Sequence, residues 1–249
     1  VGIGLRNILF IDDSKVECAA ASALLPGLNV LQLPEDPAEY LESLNSLPLL
    51  RFSQVNLEDQ NRVLSYKQRR EWLSVKEQVA DMETFYRSLN LKVYLSQVQQ
   101  DSINRVVQLF AKTTQFNLTG KRYSIEQLLQ LKNEQHQVIA IGVEDRYSQF
   151  EIMGAMVLLC NPQGTYRLDN YVMSCRALGK QVEQEALKGL MSKFKAGKLT
   201  GNIIATERNL PAQKLFADLN FKLKADDVWE YDLTQELAVS DWVTLIDQT

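Results

Sequence analysis

The sequence predicts an α/β protein, and three observations carry that expectation. Short apolar runs alternate with helix-patterned stretches along most of the chain. The opening residues read strand, helix, strand, a unit that suggests a parallel pair. From residue 91 onward, alternating runs separated by tight turns predict one mixed sheet flanked by helices. A chain of 249 residues suits one large domain or two small ones, each able to bury a core.

Asn7 to Ile11 is an apolar run that ends on Asp12 and Asp13, the pattern of a buried parallel strand with acids at its C-terminal end. Ser14 to Leu25 is Ala-rich and helical in pattern, and Pro26 and Gly27 stop it. Asn29 to Leu33 reads as a second strand, closed by Pro34 and Pro37. Two strands leave most of a sheet's apolar surface uncovered, so this unit is not expected to stand alone. Residues 38–90 are expected to be mostly helical and to connect two domains. Glu58, Asp59, Arg62, Tyr66, Arg69 and Arg70 fall at helical spacing there, and Glu77 to Leu89 continues the character.

Lys92 to Leu95 then reads as a strand. Ser102 to Lys112 reads as a helix with Ile103, Val106, Val107 and Phe110 on one face. Ser124 is a cap residue for a helix over Ile125 to Leu131. Strands are expected over Val138–Val143, Ile152–Cys160 and Tyr166–Cys175, with Asn161 to Gly164 turning between the last two. Val182–Lys195 predicts a helix, Asn202–Ala205 a strand, Leu210–Leu219 a helix and Val228–Leu233 a last strand. The division this implies is 1–37, a connector over 38–90, and a second domain over 91–249.

Composition narrows the function. Hydrophobic residues make up 45% and charged residues 23%, the mix of a soluble globular protein, and the net charge is −4. No basic face is implied, which argues against a nucleic-acid partner. No apolar run approaches the roughly 20 residues that span a bilayer, and the start does not resemble a signal peptide. Cys18, Cys160 and Cys175 are an odd, widely spaced set, as expected of cytoplasmic thiols rather than of a disulfide framework. The one histidine, His136, argues against both a zinc site and a Ser-His-Asp triad.

The strand expected to end at Ser174-Cys175 runs through Arg176, Ala177, Leu178, Gly179, Lys180 and Gln181 into a helix. Flexible residues at such a turn let backbone N–H groups point outward, and with the helix N-terminus these favour a phosphate. The segment resembles the pyrophosphate loop of GNAT acyltransferases, Q/R-x-x-G-x-G/A. Arg176 and Gly179 match it, and Gln181 stands where that pattern has a small residue. Thr206 to Asn209, with Pro211, Ala212, Phe216, Asn220 and Phe221, resembles the second GNAT signature, in which an Asn opens a helix beside the pantetheine arm.

Arg105 to Tyr123 reads RVVQLFAKTTQFNLTGKRY. This is similar to the segment Q-L-x-x-K-T-N-Q-F-N-L-T-T-x-R-Y of FkbH-like proteins. Lys112, Thr113, Gln115, Phe116, Asn117, Leu118, Thr119, Arg122 and Tyr123 match, whereas Thr114 and Gly120 depart. Three further segments resemble the same family: Phe10 to Asp13 followed by Glu17, Glu58-Asp59 with Arg62 and Tyr66, and Ser174 to Arg176.

The resemblance implies a HAD-type phosphatase domain joined to a GNAT-like acyltransferase domain. It implies loading of glycerate from 1,3-bisphosphoglycerate onto the phosphopantetheine thiol of an acyl carrier protein, in the service of polyketide synthase components. On that pattern residues 1–37 are the C-terminal remnant of the HAD-like, Rossmannoid domain, and the sequence is expected to lack that domain's N-terminal part. No D-x-D-x-T nucleophile segment occurs in residues 1–249, so this polypeptide alone is not expected to hydrolyse a phosphate monoester. Asp12 and Asp13 are the residues that would meet Mg²⁺, a hard cation that prefers oxygen ligands.

Among single residues, Cys175 is the candidate catalytic nucleophile, holding the acyl group as a thioester. Arg176 and the following helix N-terminus are expected to favour its thiolate. The alternative is a buried structural thiol, which is the reading for Cys18 and Cys160. Lys112 and Arg122 suit a phosphate or carboxylate, and Gln115 belongs to the same matched segment. Asn117 and Thr119 either bond the acyl group or pin the loop. Arg176 and Gly179 are candidates for the pantetheine arm, and Asn209 is either its neighbour or a helix cap. His136 reads as a solvated loop residue and Arg69-Arg70 as a solvated helix face. Two other functions remain open: a non-catalytic module that docks a carrier protein or synthase, and an acetyl-CoA-dependent N-acetyltransferase.

Overall fold

The computed structural model describes residues 5–47, 81–235 and 237–249. The expectations for Glu58, Asp59, Arg62, Tyr66, Arg69, Arg70 and the helical start at Glu77 lie outside the described residues. The chain divides into two compact units, 1–62 and 63–249.

In the first unit, β1 (Leu9–Asp12) and β2 (Asn29–Gln32) pair in parallel, Leu9 opposite Asn29 and Asp12 opposite Gln32. The run that begins at Asn7 gives a strand only from Leu9, because Leu5–Asn7 closes a 3-10 turn first. α1 (Lys15–Leu24) crosses between the strands. Its N-cap Ser14 accepts from the Glu17 N–H at 3.3 Å, satisfying one of the donors that a helix start leaves open. Cys18 is the buried residue of α1, and its thiol points at the Asp12 carbonyl, 3.5 Å away. A 3-10 turn at Pro37–Glu39 leads into α2 (Tyr40–Ser46).

The second unit is a mixed sheet between two helical layers. Its elements in chain order are α3 (Met82–Ser88), β3 (Leu91–Gln97), α4 (Ile103–Lys112), α5 (Ile125–Asn133), β4 (Gln137–Asp145) and β5 (Ser148–Cys160). Then come β6 (Thr165–Met173), α6 (Val182–Met191), β7 (Lys198–Asn202), α7 (Leu215–Asp218), β8 (Lys222–Leu223), β9 (Val228–Asp232) and β10 (Val243–Gln248). The strand order is β10-β3-β4-β5-β6-β7-β9-β8. The β10–β3 and β6–β7 pairs are parallel, and the other ladders are antiparallel. On one face, Val106 and Phe110 of α4 and Leu128 of α5 pack on Val138, Ala140, Ala155 and Val157. On the other, Phe85 and Leu89 from α3 and its end, Ala186 and Leu190 of α6 and Phe216 of α7 pack on Val93, Ile141, Met156 and Leu158. Ser124 and Gln127 form a reciprocal capping box at the start of α5.

Three boundaries differ from the sequence expectation. The strand expected at Asn202–Ala205 lies at Lys198–Asn202. The apolar Ile203-Ile204 drew the assignment forward, but Leu199 and Gly201 fill the buried positions, and a Cβ on Gly201 would sit 2.5 Å from the Phe216 ring. The helix expected to reach Lys195 stops at Met191, and the one expected over Leu210–Leu219 is a 3-10 turn at Ala212–Lys214 plus the four-residue α7. The sequence reading missed β10, whose Leu245 packs so closely on Gly189 of α6 that a Cβ there would sit 2.7 Å from it. Among the described residues, no helix is long and apolar enough to cross a membrane.

Candidate active site

The β6 strand ends at Met173, so Ser174 and Cys175 lie in the turn beyond it rather than in the strand. That end is shaped by a bulge in β5. Ile141 pairs with Gly154 and Gly142 with Ile152, which leaves Met153 as an extra residue. Its carbonyl accepts the Ser174 N–H at 2.7 Å, so the bulge fixes where the turn begins. Cys175 is exposed, whereas Cys18 is buried and Cys160 half-buried, with burial pushing the Cys160 thiol up.

Arg176 is engaged with Glu151. Both of its terminal nitrogens grip the Glu151 carboxylate, Nη1 at 2.5 Å from Oε2 and Nη2 on Oε1. Arg105 of α4 reaches the same carboxylate at 3.0 Å through Nη2, while its Nε donates to the Ile152 carbonyl at 3.1 Å. The three charges therefore fasten α4, the β5 bulge and the Cys175 turn together. The sequence reading did not single out Arg105 or Glu151. Nothing local marks a 46-residue pairing between a helix arginine and a strand glutamate.

The turn itself bends through Gly179 at φ +86° and Gln181 at φ +58°, the N-cap of α6. A non-glycine residue in the left-handed region costs roughly 1–2 kcal/mol, so packing must hold Gln181 there. Part of the hold comes from Lys180, which points inward and pairs with Asp145, both side chains being almost wholly buried. Asp145 also accepts from the Tyr147 N–H at 2.8 Å and the Ser148 hydroxyl at 2.9 Å, so it anchors the β4–β5 hairpin as well. The first turn of α6 carries Glu183 and Glu185, both buried. Glu185 accepts from Ser240 and Lys188. Glu183 is pushed up to about 7 by burial, and its Oε2 has no hydrogen-bond partner among the described residues. Carboxylates at this helix end occupy the positive potential that a diphosphate would use.

β6 and β7 pair only over Thr165–Leu168 and Lys198–Gly201, and then part. The segment Phe116 to Leu118 fills the gap. Leu118 N–H donates to Tyr171 O at 3.1 Å, Met173 N–H to Phe116 O at 3.0 Å, and Ile204 N–H to Leu118 O at 2.8 Å. The polar residues of this segment are spent on the fold. Asn117 donates to Thr113 O and accepts from the Gly120 N–H at 2.8 Å. Thr119 donates its N–H to Asn170 Oδ1 and its hydroxyl to Asp169 O, each at 3.1 Å. Asp169 pairs with Lys121 at 2.5 Å, Arg167 at 2.9 Å and the Tyr123 hydroxyl at 2.7 Å. Burial opposes ionisation of Asp169, but those three partners outweigh it and lower its pKa. Asp169-Asn170, a polar pair set between Leu168 and Tyr171 in β6, is the signal in the sequence that could have pointed to this latch.

Asn209 also belongs to the latch and is buried. Its Nδ2 donates to Asn117 O and Ile204 O, and its Oδ1 accepts from the N–H and hydroxyl of Thr206. Gln115, Lys112 and Arg122 stay exposed around the segment. His136 is not a solvated residue: it is half-buried, and its Nδ1 accepts the Cys160 N–H at 3.2 Å.

The Mg²⁺ expectation meets a sparse donor set. Asp12 Oδ1 already accepts the Ser14 N–H at 2.9 Å. Among the described residues, no group of three or more His, Cys, Asp or Glu side chains could hold a metal. Asp12 and Asp13 do not make a magnesium site by themselves.

No family model matches this sequence, and no curated protein sequence is similar to it. Among solved structures the chain is similar to an N-acetyltransferase from Staphylococcus aureus Mu50, with 18% identity over 57% of this chain and 98% of that one, at a TM-score of 0.40. It is similar to the ribosomal-protein-S18-alanine N-acetyltransferase from Escherichia coli, with 9% identity over 57% of this chain and 95% of that one, at 0.41. It is also similar to spermidine N-acetyltransferase from Vibrio cholerae in complex with CoA and spermine, with 13% identity over 59% of this chain and 98% of that one, at 0.44.

Proposed function

We propose that this chain is an FkbH-like acyltransferase that passes a small acyl group, glyceryl, through Cys175 to the phosphopantetheine thiol of an acyl carrier protein. The observation that carries the reading is the position of Cys175: it is the exposed thiol of the three, in the turn just past the end of the central strand β6. The FkbH-like and GNAT-like sequence segments support it, as does the mixed sheet that sets the Ser174–Gln181 turn ahead of α6. On this reading the first compact unit, 1–62, holds the HAD-like remnant and the start of the connector, and the second, 63–249, holds the rest of the connector and the GNAT-like domain.

The chemistry is two acyl exchanges. The Cys175 thiolate attacks the carbonyl carbon of the acyl phosphate; a C–S bond forms, the C–O bond to phosphate breaks, and inorganic phosphate leaves, so that 1,3-bisphosphoglycerate gives a 3-phosphoglyceryl thioester whose remaining ester phosphate is hydrolysed by a separate HAD-type phosphatase to leave glyceryl. The pantetheine thiol, having lost its proton to solvent, then attacks the enzyme thioester, and Cys175 departs as thiolate. A cysteine is the nucleophile that depends least on a partner base, which fits a site with no imidazole nearby. The two thioesters are close in energy, so the relay runs without an added driving force.

The test is mass spectrometry of the purified chain incubated with S-glyceryl pantetheine or 1,3-bisphosphoglycerate. An adduct on Cys175, glyceryl from S-glyceryl pantetheine or 3-phosphoglyceryl from 1,3-bisphosphoglycerate, removed by hydroxylamine and absent in Cys175→Ala, supports the reading. An adduct confined to Cys18 or Cys160 overturns it. Turnover of acetyl-CoA with an amine, unchanged in Cys175→Ala, would favour an N-acetyltransferase instead. Carrier-protein binding without any transfer would favour a docking module.

A further inference from the structure

We propose that Arg105 and Arg176 form an oxyanion-binding pair beside Cys175, which Glu151 occupies in this structure and which a carboxylate- or phosphate-bearing acyl group takes over during turnover. The proposal rests on the placement of acyl transfer at Cys175.

Two guanidinium groups from different elements, α4 and the β6–α6 turn, converge on one carboxylate. Arg176 grips it with two nitrogens, the fork geometry that suits carboxylate and phosphate equally. Arg105 is aimed by two further bonds, from Nε to Ile152 O and from Nη1 to Gln108 Oε1 at 2.5 Å, so its Nη2 is directed at the carboxylate by its surroundings. The occupant itself is held less firmly. Glu151 sits on the stretch of β5 before the Met153 bulge, where the ladder to β6 has ended, and its side chain is 37% exposed. The arginine side chains are 30% and 28% exposed. A cluster this open exchanges one oxyanion for another without a large desolvation cost, unlike the buried Lys180–Asp145 pair, which has no room for exchange.

The neighbourhood suits a small anionic acyl group. Arg176 follows Cys175 directly in sequence. When an incoming oxyanion takes the guanidiniums, the Glu151 carboxylate is released to water. Glu151 is thus an internal competitor, and its removal strengthens rather than weakens anion binding.

Inorganic phosphate is the probe, at constant ionic strength, with the rise in melting temperature of the chain as the readout of binding to the folded state. Wild type is expected to respond to phosphate, and Glu151→Gln to respond with an apparent affinity roughly tenfold higher, a change of about 1.4 kcal/mol. Arg176→Met and Arg105→Met are each expected to lose the response, and Arg176→Lys, which keeps the charge but not the fork, to retain a small part of it. Slowed alkylation of Cys175 by neutral iodoacetamide in the same phosphate series places the site. Equal or weaker phosphate binding by a folded Glu151→Gln overturns the proposal, as does a response that survives in both Met variants. No arm measures acyl transfer, so anion binding without transfer would sink the acyltransferase reading alone, and transfer without anion binding would sink this proposal alone.

Discussion

The side-chain nitrogen of Asn209 donates to the main-chain oxygen of Asn117 at 2.9 Å, across 92 residues of sequence. Each residue lies in one of the two segments that most resemble ligand-binding motifs, and the bond ties those segments to each other. Asn117 lies in the short extended piece between β6 and the chain beyond β7, and Asn209 closes the turn at Thr206 on the far side. The polar residues of both segments are used to plug the sheet where β6 and β7 part.

Asn209→Ala is therefore expected to act on stability before it acts on any ligand. Asn209 is buried, and its loss leaves Asn117 O, Ile204 O and the Thr206 N–H short of partners. An unmet buried polar group costs about 1–3 kcal/mol, and partial relaxation brings the sum to about 2–4 kcal/mol. Urea unfolding gives the number; a variant within about 0.5 kcal/mol of wild type would show that the latch contributes nothing.

The Lys180–Asp145 pair leads to a second expectation. Both side chains are withdrawn from solvent, and Lys180 lies between the left-handed Gly179 and Gln181. Lys180→Met leaves Asp145 charged and buried with only Tyr147 and Ser148 as partners, at a cost of about 3–5 kcal/mol. Lys180→Met combined with Asp145→Asn removes the stranded charge and is expected to recover more than half of that loss. Equal stabilities for the single and double variants in chemical denaturation would contradict this account.

The contrast between Lys180 and Cys175 shows what the sequence made legible. Alternation and turn residues were enough for the layered α/β fold, since β4, β5, β6 and β9 all lie where period-two runs predicted them. The strand–helix turn at 174–181 was legible for the same reason. What escaped was long-range: Arg105 to Glu151, Lys180 to Asp145, and the C-terminal strand β10 with Ser240 bonded to Glu185. Each joins elements far apart in sequence, and a lysine or glutamate reads as solvated until its partner is known. The resemblance of residues 112–123 to a family motif was visible, but its structural use was not. Asn117 and Thr119 bond to groups in the segment itself and on β6 that only the fold brings near.

Thiol reactivity gives a third expectation. Under native conditions Cys175 is exposed, Cys160 half-buried and Cys18 buried, so one thiol equivalent is expected to react with a small disulfide reagent much faster than the other two. Cys175→Ala should remove the fast phase and leave the slow ones. A fast phase that persists in Cys175→Ala would show that Cys160 or Cys18 is the accessible thiol.

Glu183 couples the first turn of α6 to pH. Its carboxyl has an ordinary value of 4.5 and is pushed up to about 7, first by burial and then by the nearby Asp218 charge; a hydrogen bond from its own backbone N–H opposes the shift only in part. The folded state therefore holds a proton that the unfolded chain gives up earlier. Below about 4.5 both states are protonated and Glu183 has no effect. As the pH rises from there, the unfolded chain ionises first, and stability falls by about 1.4 kcal/mol per pH unit until the folded group also ionises near 7. The loss is complete above that point and amounts to about 3 kcal/mol. Glu183→Gln keeps the size and the neutral amide but cannot ionise, so it is expected to match or fall slightly below wild type at pH 5 and to exceed it by about 2–3 kcal/mol at pH 8. Urea unfolding of both proteins across that range isolates the effect, because other titrating groups cancel in the difference. Parallel stability curves would mean that Glu183 is ionised in the folded protein at neutral pH and that its buried Oε2 is satisfied by water.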